Sequence, residues 1–173
     1  MERDAFQTFY MSQSNTIFKY IFFMVNNKEQ AEDFTQETFF KAYKQFETFR
    51  HEAAAHTWLK RIARNLVYDH YRKKRLIKFL PLGHKKDYAD DTQTPSEVLE
   101  KGENMAILYE ALKKLKLSYR ETVILRKIEG LTVKEAAQFL QCSEAKVKNN
   151  TFRAMAALKQ ILQEGGHSDE SFR

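Results

Sequence analysis

The sequence predicts an all-α protein: two small helical domains joined by a flexible linker, the C-terminal one a helix-turn-helix. The 173 residues include only 5 Gly and 2 Pro, too few for the many turns of an all-β fold. Apolar residues recur at helical spacing on both sides of a polar stretch, 79–104, which holds both prolines. This predicted linker separates residues 1–78 from 105–163, and the polar tail 164–173 is expected to be disordered.

The first domain is predicted to begin with two helices. The first covers residues 4–25 and is predicted to be a buried amphipathic helix, because its apolar side chains recur at near-helical spacing: Phe6, Phe9, Tyr10, Ile17, Tyr20, Ile21 and Met24. Asn26-Asn27 interrupts it, and Asn27 with Gln30 fits a capping box for a second helix over roughly 28–47. The predicted buried stripe of this second helix is Ala31, Phe34, Thr38, Ala42 and Phe46.

The opposite stripe of the second helix mixes acidic, basic and apolar side chains. Its members are Asp33, Gln36, Glu37, Phe40, Lys41 and Lys44. An acidic surface repels DNA, and an exposed Phe within it is typical of a protein-docking surface. A solvated helix face with one stray Phe is the alternative interpretation.

A third helix, predicted over roughly 58–78 after the loop 49–56, carries dense positive charge. From Lys60 to Lys78 there are eight basic residues against one acidic residue, Asp69, which suits a polyanionic partner. The inner stripe is Leu59, Ile62, Ala63, Leu66 and His70, and the outer stripe is Arg61, Arg64, Asn65, Tyr68 and Arg72. Asn65 can bond to a base edge, and the rings of Tyr68 and Trp58 can stack on an unstacked base. Burial in the core is the favoured interpretation for Trp58.

The second domain carries local signals for three further helices. Ser118 and Glu121 fit a capping box, and Gly130 is expected to end the helix that this box opens. A second capping box, Thr132 with Glu135, opens a short helix whose apolar residues are Val133, Ala136, Ala137 and Leu140. A tight turn at Gln141-Cys142 leads to a longer helix, which completes a helix-turn-helix.

This last helix is predicted to read DNA. Ser143 caps it, and Val147 fills the angle between the two helices, with Thr151, Ala154, Leu158 and Ile161 further along the inner stripe. The outward residues are Glu144, Lys146, Lys148, Asn149, Asn150, Phe152 and Arg153. Lys and Arg bind phosphates, Asn and Arg read base edges, and a Phe can contact a thymine methyl. A three-helix bundle with a solvated face is the alternative.

Other classes of protein are disfavoured. The only cysteine, Cys142, excludes an internal disulfide and suits a reducing compartment. The five histidines lack metal-site spacing and the paired carboxylates Asp90-Asp91 fall in the predicted linker, so no metal, no cofactor and no enzyme activity are expected. The apolar stretch 17–25 is too short to span a bilayer and contains Lys19, which predicts a cytoplasmic protein without membrane insertion.

Three stretches together resemble a bacterial RNA polymerase sigma factor of the extracytoplasmic-function subgroup. They are AEDFTQETFFKAYKQFETFR at 31–50, TWLKRIARNLVYDHYRKKR at 57–75 and LRKIEGLTVKEAAQFLQCSEAKVKNNTFRAMAALK at 125–159. The resemblance implies an alternative sigma factor that binds core RNA polymerase and directs promoter-specific initiation. Residues 1–78 would correspond to the second sigma region and 105–163 to the fourth.

The resemblance and the residue pattern together assign roles to particular residues. The resemblance itself covers Asp33, Gln36, Glu37, Arg61, Asn65, Lys148, Asn149, Phe152, Arg153 and the loop 50–57. The candidate residues for docking on the beta-prime coiled coil are Asp33, Gln36, Glu37, Phe40 and Lys41. Those for the minus-10 element are His56, Trp58, Arg61, Arg64, Asn65, Tyr68 and Arg72, beside a base-capturing loop at 50–57. Those for the minus-35 element are Ser143, Lys146, Lys148, Asn149, Asn150, Phe152 and Arg153. The polymerase beta flap, promoter DNA and an anti-sigma factor are the further partners implied.

The chain departs from the family pattern at the helix-turn-helix. Gln141 stands where Gly is frequent, and because a positive φ costs a Gln, the turn is expected to differ slightly. Asn149-Asn150 stands where Ser-Arg is frequent, which removes one cation from the reading helix. A polymerase-independent helix-turn-helix regulator is the alternative function, although it would need a dimerisation helix and no coiled-coil seam is evident.

Overall fold

The computed structural model describes residues 2–47, 49, 54–79 and 103–166, which form helices and turns without a strand. The chain divides into two compact units, Met1–Gln93 and Thr94–Arg173. The N-terminal unit contains α1 (Glu2–Val25), α2 (Lys28–Gln45) and α3 (Ala55–Phe79). The C-terminal unit contains α4 (Glu103–Lys114), α5 (Leu117–Val123), a π-helical turn (Ile124–Ile128), α6 (Val133–Leu140) and α7 (Glu144–Glu164). The predicted all-α fold class is confirmed.

In the N-terminal unit α1, α2 and α3 each pack against the other two. The fully buried side chains of this core include Ile17, Tyr20, Ile21, Met24, Ala31, Thr38, Ala42, Leu59, Ala63 and Val67. Burying a side chain as large as Ile or Leu contributes roughly 1.5–3 kcal/mol, so the three apolar stripes hold the unit together. Asn26 adopts a left-handed φ of 52° and ends α1, and the Asn27 side chain accepts a hydrogen bond from the Gln30 N–H at 2.8 Å. The predicted break and cap are confirmed.

Some predicted boundaries in the N-terminal unit are wrong. The second helix ends at Gln45, and the third begins at Ala55, so His56 and Thr57 are helical rather than part of a loop. Tyr10, predicted to be buried, is 41% exposed because its ring lies at the margin of the α1–α2 contact, 4.7 Å from the Phe39 ring. Most of the predicted linker and tail lies outside the described residues, but 79, 103, 104 and 164 are helical.

The helix-turn-helix of the C-terminal unit forms as the sequence predicts. Val147 is fully buried between α6 and α7, against Ala136 and Ala137. The Thr132 hydroxyl accepts from the Glu135 N–H at 3.2 Å and the Glu135 carboxylate accepts from the Thr132 N–H at 2.7 Å, which is a complete capping box. The side-chain and backbone hydrogen bonds with Thr132 lower the pKa of Glu135 and keep this cap ionised. Ser143 caps α7 by accepting from the Lys146 N–H at 3.2 Å.

The expectation of an altered turn at Gln141 is wrong. Gln141 takes the left-handed conformation that Gly would supply, with φ 53° and ψ 49°. The N–H of Cys142 donates to the Ala137 carbonyl at 3.0 Å, which satisfies the end of α6. A left-handed non-Gly residue costs about 1–2 kcal/mol, and the cap bonds and the burial of Val147 offset that cost.

The predicted capping box at Ser118 is also wrong. Helix α5 begins at Leu117 after Lys116, and Ser118 lies inside its first turn. The helix starts early because the buried Arg120 donates to three carbonyls near the end of α4, those of Leu112 (2.9 Å), Lys113 (2.6 Å) and Leu115 (3.4 Å). Glu121, the other half of the predicted box, is only 1% exposed. Gly130, at φ 74°, follows the π-helical turn and ends this segment as predicted.

Candidate protein-docking and nucleic-acid surfaces

The docking surface, defined as Asp33, Gln36, Glu37, Phe40 and Lys41, lies on the exposed side of α2. All five side chains are exposed, and Phe40 is 59% exposed. The opposite stripe is buried, with Ala31, Thr38 and Ala42 at 0% exposure. Helix α2 therefore uses one stripe to fold and leaves a second, chemically mixed stripe in solvent.

The side chains of the docking surface make weak contacts with one another and with the neighbouring Lys44. The Lys41 ammonium lies 3.4 Å from the Glu37 carboxylate, and the Lys44 ammonium lies 4.2 Å from the centre of the Phe40 ring. An exposed ion pair at this spacing contributes about 0.3–0.5 kcal/mol on a helix, and an exposed cation–π contact about 0.5–1 kcal/mol. They can rearrange at little cost when another surface approaches.

The basic face of α3 has fewer exposed residues than the sequence pattern predicts. Asn65 and Arg72 are exposed, whereas Arg61, Arg64 and Tyr68 are half-buried. Lys60 is 7% exposed and lies 5.7 Å from the Tyr20 ring centre, so it belongs to the core. His56 is exposed in the first turn of α3, and the Arg72 guanidinium lies 3.0 Å from the Asp69 carboxylate.

Trp58 packs within an aromatic cluster at the start of α3. Its ring stacks on Phe49 at 4.4 Å between centroids, with an angle of 17° between the planes. Phe9 lies 6.4 Å from the same ring, and Phe9 and Phe46 are 5.2 Å apart. One face of Trp58 is therefore occupied by Phe49, a residue to which the sequence pattern gave no role. Only proximity in the fold reveals this pair.

His70 is a packing residue of the N-terminal unit. It is half-buried, with its ring 5.3 Å from Phe34 in an edge-to-face contact. Burial lowers the pKa of His70, and the nearby Lys74 ammonium lowers it further. The imidazole is therefore neutral at physiological pH, as suits its predicted place on the inner stripe.

The reading face of α7 presents most of the residues that the sequence assigns to it. Exposed side chains are those of Ser143, Lys146, Lys148, Asn149, Phe152 and Arg153, with Phe152 at 76%. Asn150 is half-buried, so the prediction of an outward Asn150 is corrected. It lies three residues after Val147 and four before Ala154, which places it beside the buried stripe. Met155, at 38% exposure, adds an apolar neighbour that the sequence interpretation missed.

Comparison with known proteins matches each of the two units to a family model of its own. The family models for Sigma-70 region 2 and for Sigma-70, region 4, match residues 9–77 and 105–158. ECF RNA polymerase sigma factor SigX of Bacillus subtilis is 32% identical, with 92% of this chain and 84% of that protein covered. The BldN sigma factor of Streptomyces coelicolor is 36% identical, with 93% of this chain and 61% of that protein covered. The sigma factor RpoE from Bartonella quintana, solved in complex with NepR, shares the fold with a TM-score of 0.70, 22% identity, and 92% and 97% coverage.

Two sigma regions in order, on an all-α fold, define an RNA polymerase sigma factor. The chain belongs to the extracytoplasmic-function (ECF) family of these factors. It is an alternative sigma factor that directs transcription by binding core RNA polymerase and promoter DNA, which decides against a polymerase-independent regulator. Sigma factors are transcription initiation factors rather than enzymes. Within the described residues, no helix has the length and apolar character needed to cross a membrane.

Proposed function

We propose that this sigma factor works through three surfaces, on α2, α3 and α7. The docking surface on α2 binds the beta-prime coiled coil of core polymerase. The single observation that supports this most strongly is the exposure of Asp33, Glu37 and Phe40, with Phe40 at 59%, on a helix whose other side is buried in the core. An exposed Phe surrounded by carboxylates is typical of a protein interface, in which an apolar residue at the centre is surrounded by charged residues.

The two DNA surfaces follow from chemistry and exposure. On α3, Arg61 and Arg72 supply cations, Asn65 an amide and His56 an imidazole for the minus-10 element. On α7, Lys146, Lys148, Asn149, Phe152 and Arg153 supply phosphate and base contacts for the minus-35 element. Because both surfaces belong to one chain, the binding of one unit raises the effective concentration of the other on the same promoter.

An anti-sigma factor is the further proposed partner, and its binding would regulate this protein. The Bartonella quintana sigma factor of similar fold was solved with the anti-sigma factor NepR, and CnrH, with a TM-score of 0.67, was solved with the cytosolic domain of CnrY. The protein acts in the cytoplasm as a subunit without catalysis of its own, with residues 1–78 and 105–163 as its two working domains. The beta flap of polymerase is the expected partner of the second domain.

Asn65→Ala and Arg153→Ala test the assignment of the two DNA surfaces. The first is expected to weaken use of the minus-10 element and the second of the minus-35 element, each by about 1–3 kcal/mol, because a base contact is lost. The measurement is open-complex formation by reconstituted polymerase on templates in which each element is altered in turn. Each variant should lose discrimination only at its own element. Asn15→Ala, an exposed Asn on α1, is the control expected to leave both unchanged. Equal losses on every template would reduce both residues to phosphate contacts.

A further inference from the structure

The C-terminal part of α3 extends beyond the core of the N-terminal unit. Residues 72–77 are all exposed, whereas every earlier turn of this helix has at least one buried or half-buried side chain. Because a helical turn takes about 3.6 residues, six exposed residues in succession leave the whole circumference of the helix in solvent. This segment, residues 72–77, is called the projecting end. Substitutions in it should leave the fold intact.

The projecting end combines four cations with two large apolar side chains. Residues 72–75 are Arg-Lys-Lys-Arg and are exposed, and Leu76 and Ile77 follow them at 58% and 64% exposure. The Arg72 guanidinium lies 3.0 Å from the Asp69 carboxylate one turn earlier. Attraction of a polyanion requires only the cations. The two aliphatic side chains favour a partner that also offers an apolar phase.

The sequence that follows α3 has the same composition. Phe79, Leu80 and Leu82 are apolar, and Lys85 and Lys86 are basic. Clusters of Lys and Arg beside exposed apolar residues are typical of proteins that lie on anionic membranes. Composition and exposure therefore indicate the same class of partner.

The distribution of the cations around the helix favours a bilayer over a nucleic acid or a protein. Successive residues of a helix are rotated by about 100°, so the side chains of residues 72–75 point to all sides of the axis. The backbone of DNA contacts a helix from one side and offers Leu76 and Ile77 no apolar surface. Lipid headgroups surround a helix end at the membrane interface, so every cation can reach a phosphate while the apolar pair leaves water.

We propose that the projecting end of α3 docks on an anionic lipid bilayer. Leu76 and Ile77 lie at the boundary between headgroups and acyl chains, and the cations of residues 72–75 contact lipid phosphates. The contact is peripheral and leaves the rest of the chain outside the hydrocarbon core. It goes beyond the proposed function and does not depend on it. Because Arg72 also belongs to the proposed minus-10 surface, lipid and promoter DNA compete for this residue.

Co-sedimentation of the full chain with vesicles tests the proposal. Vesicles of phosphatidylglycerol mixed with phosphatidylcholine are compared with vesicles of phosphatidylcholine alone, at physiological ionic strength. The wild-type chain is expected to bind the mixed vesicles and not the neutral ones, because the cations need an anionic surface. Equal binding to both kinds of vesicle, or binding to neither, would overturn the proposal.

Leu76→Ser together with Ile77→Ser tests the apolar contribution at constant net charge. This variant is expected to lose on the order of tenfold or more in affinity for the mixed vesicles, because neither side chain leaves water. Its affinity for a DNA duplex of random sequence should be unchanged. The control is Met11→Ser, which removes a 72% exposed side chain of α1 and should change neither affinity. Unchanged vesicle binding, or equal losses on vesicles and DNA, would count against a membrane contact.

Lys73→Ser together with Lys74→Ser tests the contribution of the cations. Each cation near an anionic surface contributes about fivefold, so a loss on the order of 25-fold in vesicle affinity is expected. Lys19→Ser with Lys28→Ser removes the same charge at two exposed positions of the same unit and should lose far less. Equal losses for the two pairs would show that net charge, and not the projecting end, drives binding.

Leu76→Trp reports the position of the projecting end without weakening it. The chain has one tryptophan, Trp58, so the wild-type spectrum can be subtracted. Emission from the added ring should shift to shorter wavelength on mixed vesicles and be quenched by lipids with brominated acyl chains. Emission that stays unshifted and open to quenching by aqueous iodide, on vesicles that bind the chain, would show that another part of the protein touches the lipid.

Discussion

Reversal of two charges on α2, Asp33→Lys together with Glu37→Lys, is expected to abolish promoter-directed transcription. Both carboxylates are exposed, so the fold should be unaffected, with changes in the free energy of unfolding within about 0.5 kcal/mol. Like charges placed opposite each other at an interface cost several kcal/mol, which corresponds to roughly a hundredfold loss or more in affinity for core polymerase. The measurements are binding of the purified chain to core polymerase and run-off transcription at limiting concentration.

A matched control separates docking from net charge. Glu110→Lys with Glu164→Lys makes the same change in charge at two exposed positions of the C-terminal unit. This control should bind core polymerase and transcribe as the wild type does. Wild-type affinity in the Asp33 and Glu37 double variant would show that polymerase docks elsewhere on the chain.

Arg120→Met is expected to have the largest effect on folding. The buried guanidinium donates to the carbonyls of Leu112, Lys113 and Leu115 at the corner between α4 and α5. The Leu112 carbonyl keeps the Leu115 N–H as a donor at 3.1 Å, whereas the carbonyls of Lys113 and Leu115 lose the guanidinium. A buried acceptor left without a donor costs about 1–3 kcal/mol, so a loss of roughly 3 kcal/mol in the free energy of unfolding is expected. Because a domain this small has only a few kcal/mol in total, much of the C-terminal unit should unfold and minus-35 recognition should weaken with it.

The control for this variant is Arg153→Met, at an exposed arginine of the same unit. It should change the free energy of unfolding by less than about 0.5 kcal/mol while weakening minus-35 binding. Urea denaturation of the full chain, followed by near-ultraviolet circular dichroism, measures both variants. A destabilisation below about 1 kcal/mol for Arg120→Met would show that other contacts hold the corner.

The features that the sequence predicted correctly depend on local signals. Of the predicted stripe of α2, Ala31, Thr38 and Ala42 are fully buried, whereas Phe34 and Phe46 at its margins are half-buried. The capping box at Thr132 and the cap at Ser143 each involve residues three apart, so their hydrogen bonds follow from neighbouring positions alone. Together with Val147, which is buried between α6 and α7, these local signals are sufficient to predict the helix-turn-helix.

The features that the sequence did not predict depend on contacts between elements. Ser118 and Glu121 match the capping-box sequence, yet the helix begins at Leu117 because the Arg120 side chain donates hydrogen bonds to carbonyls at the end of α4. The sequence pattern includes Lys60 in the exposed basic face of α3, but in the structure its side chain is buried and its ammonium lies near the ring of Tyr20. The stack between Phe49 and Trp58 joins residues nine positions apart. No periodicity connects such residues.

The central claim is that this chain directs core polymerase to selected promoters through the exposed faces of α2, α3 and α7. Run-off transcription with purified core polymerase on a library of randomised promoters tests it most directly. Adding the wild-type chain is expected to select a small set of templates with fixed minus-10 and minus-35 sequences. The Asp33 and Glu37 double variant is expected to lose this selection. Transcription that shows no template selection when the wild-type chain is added would contradict the claim.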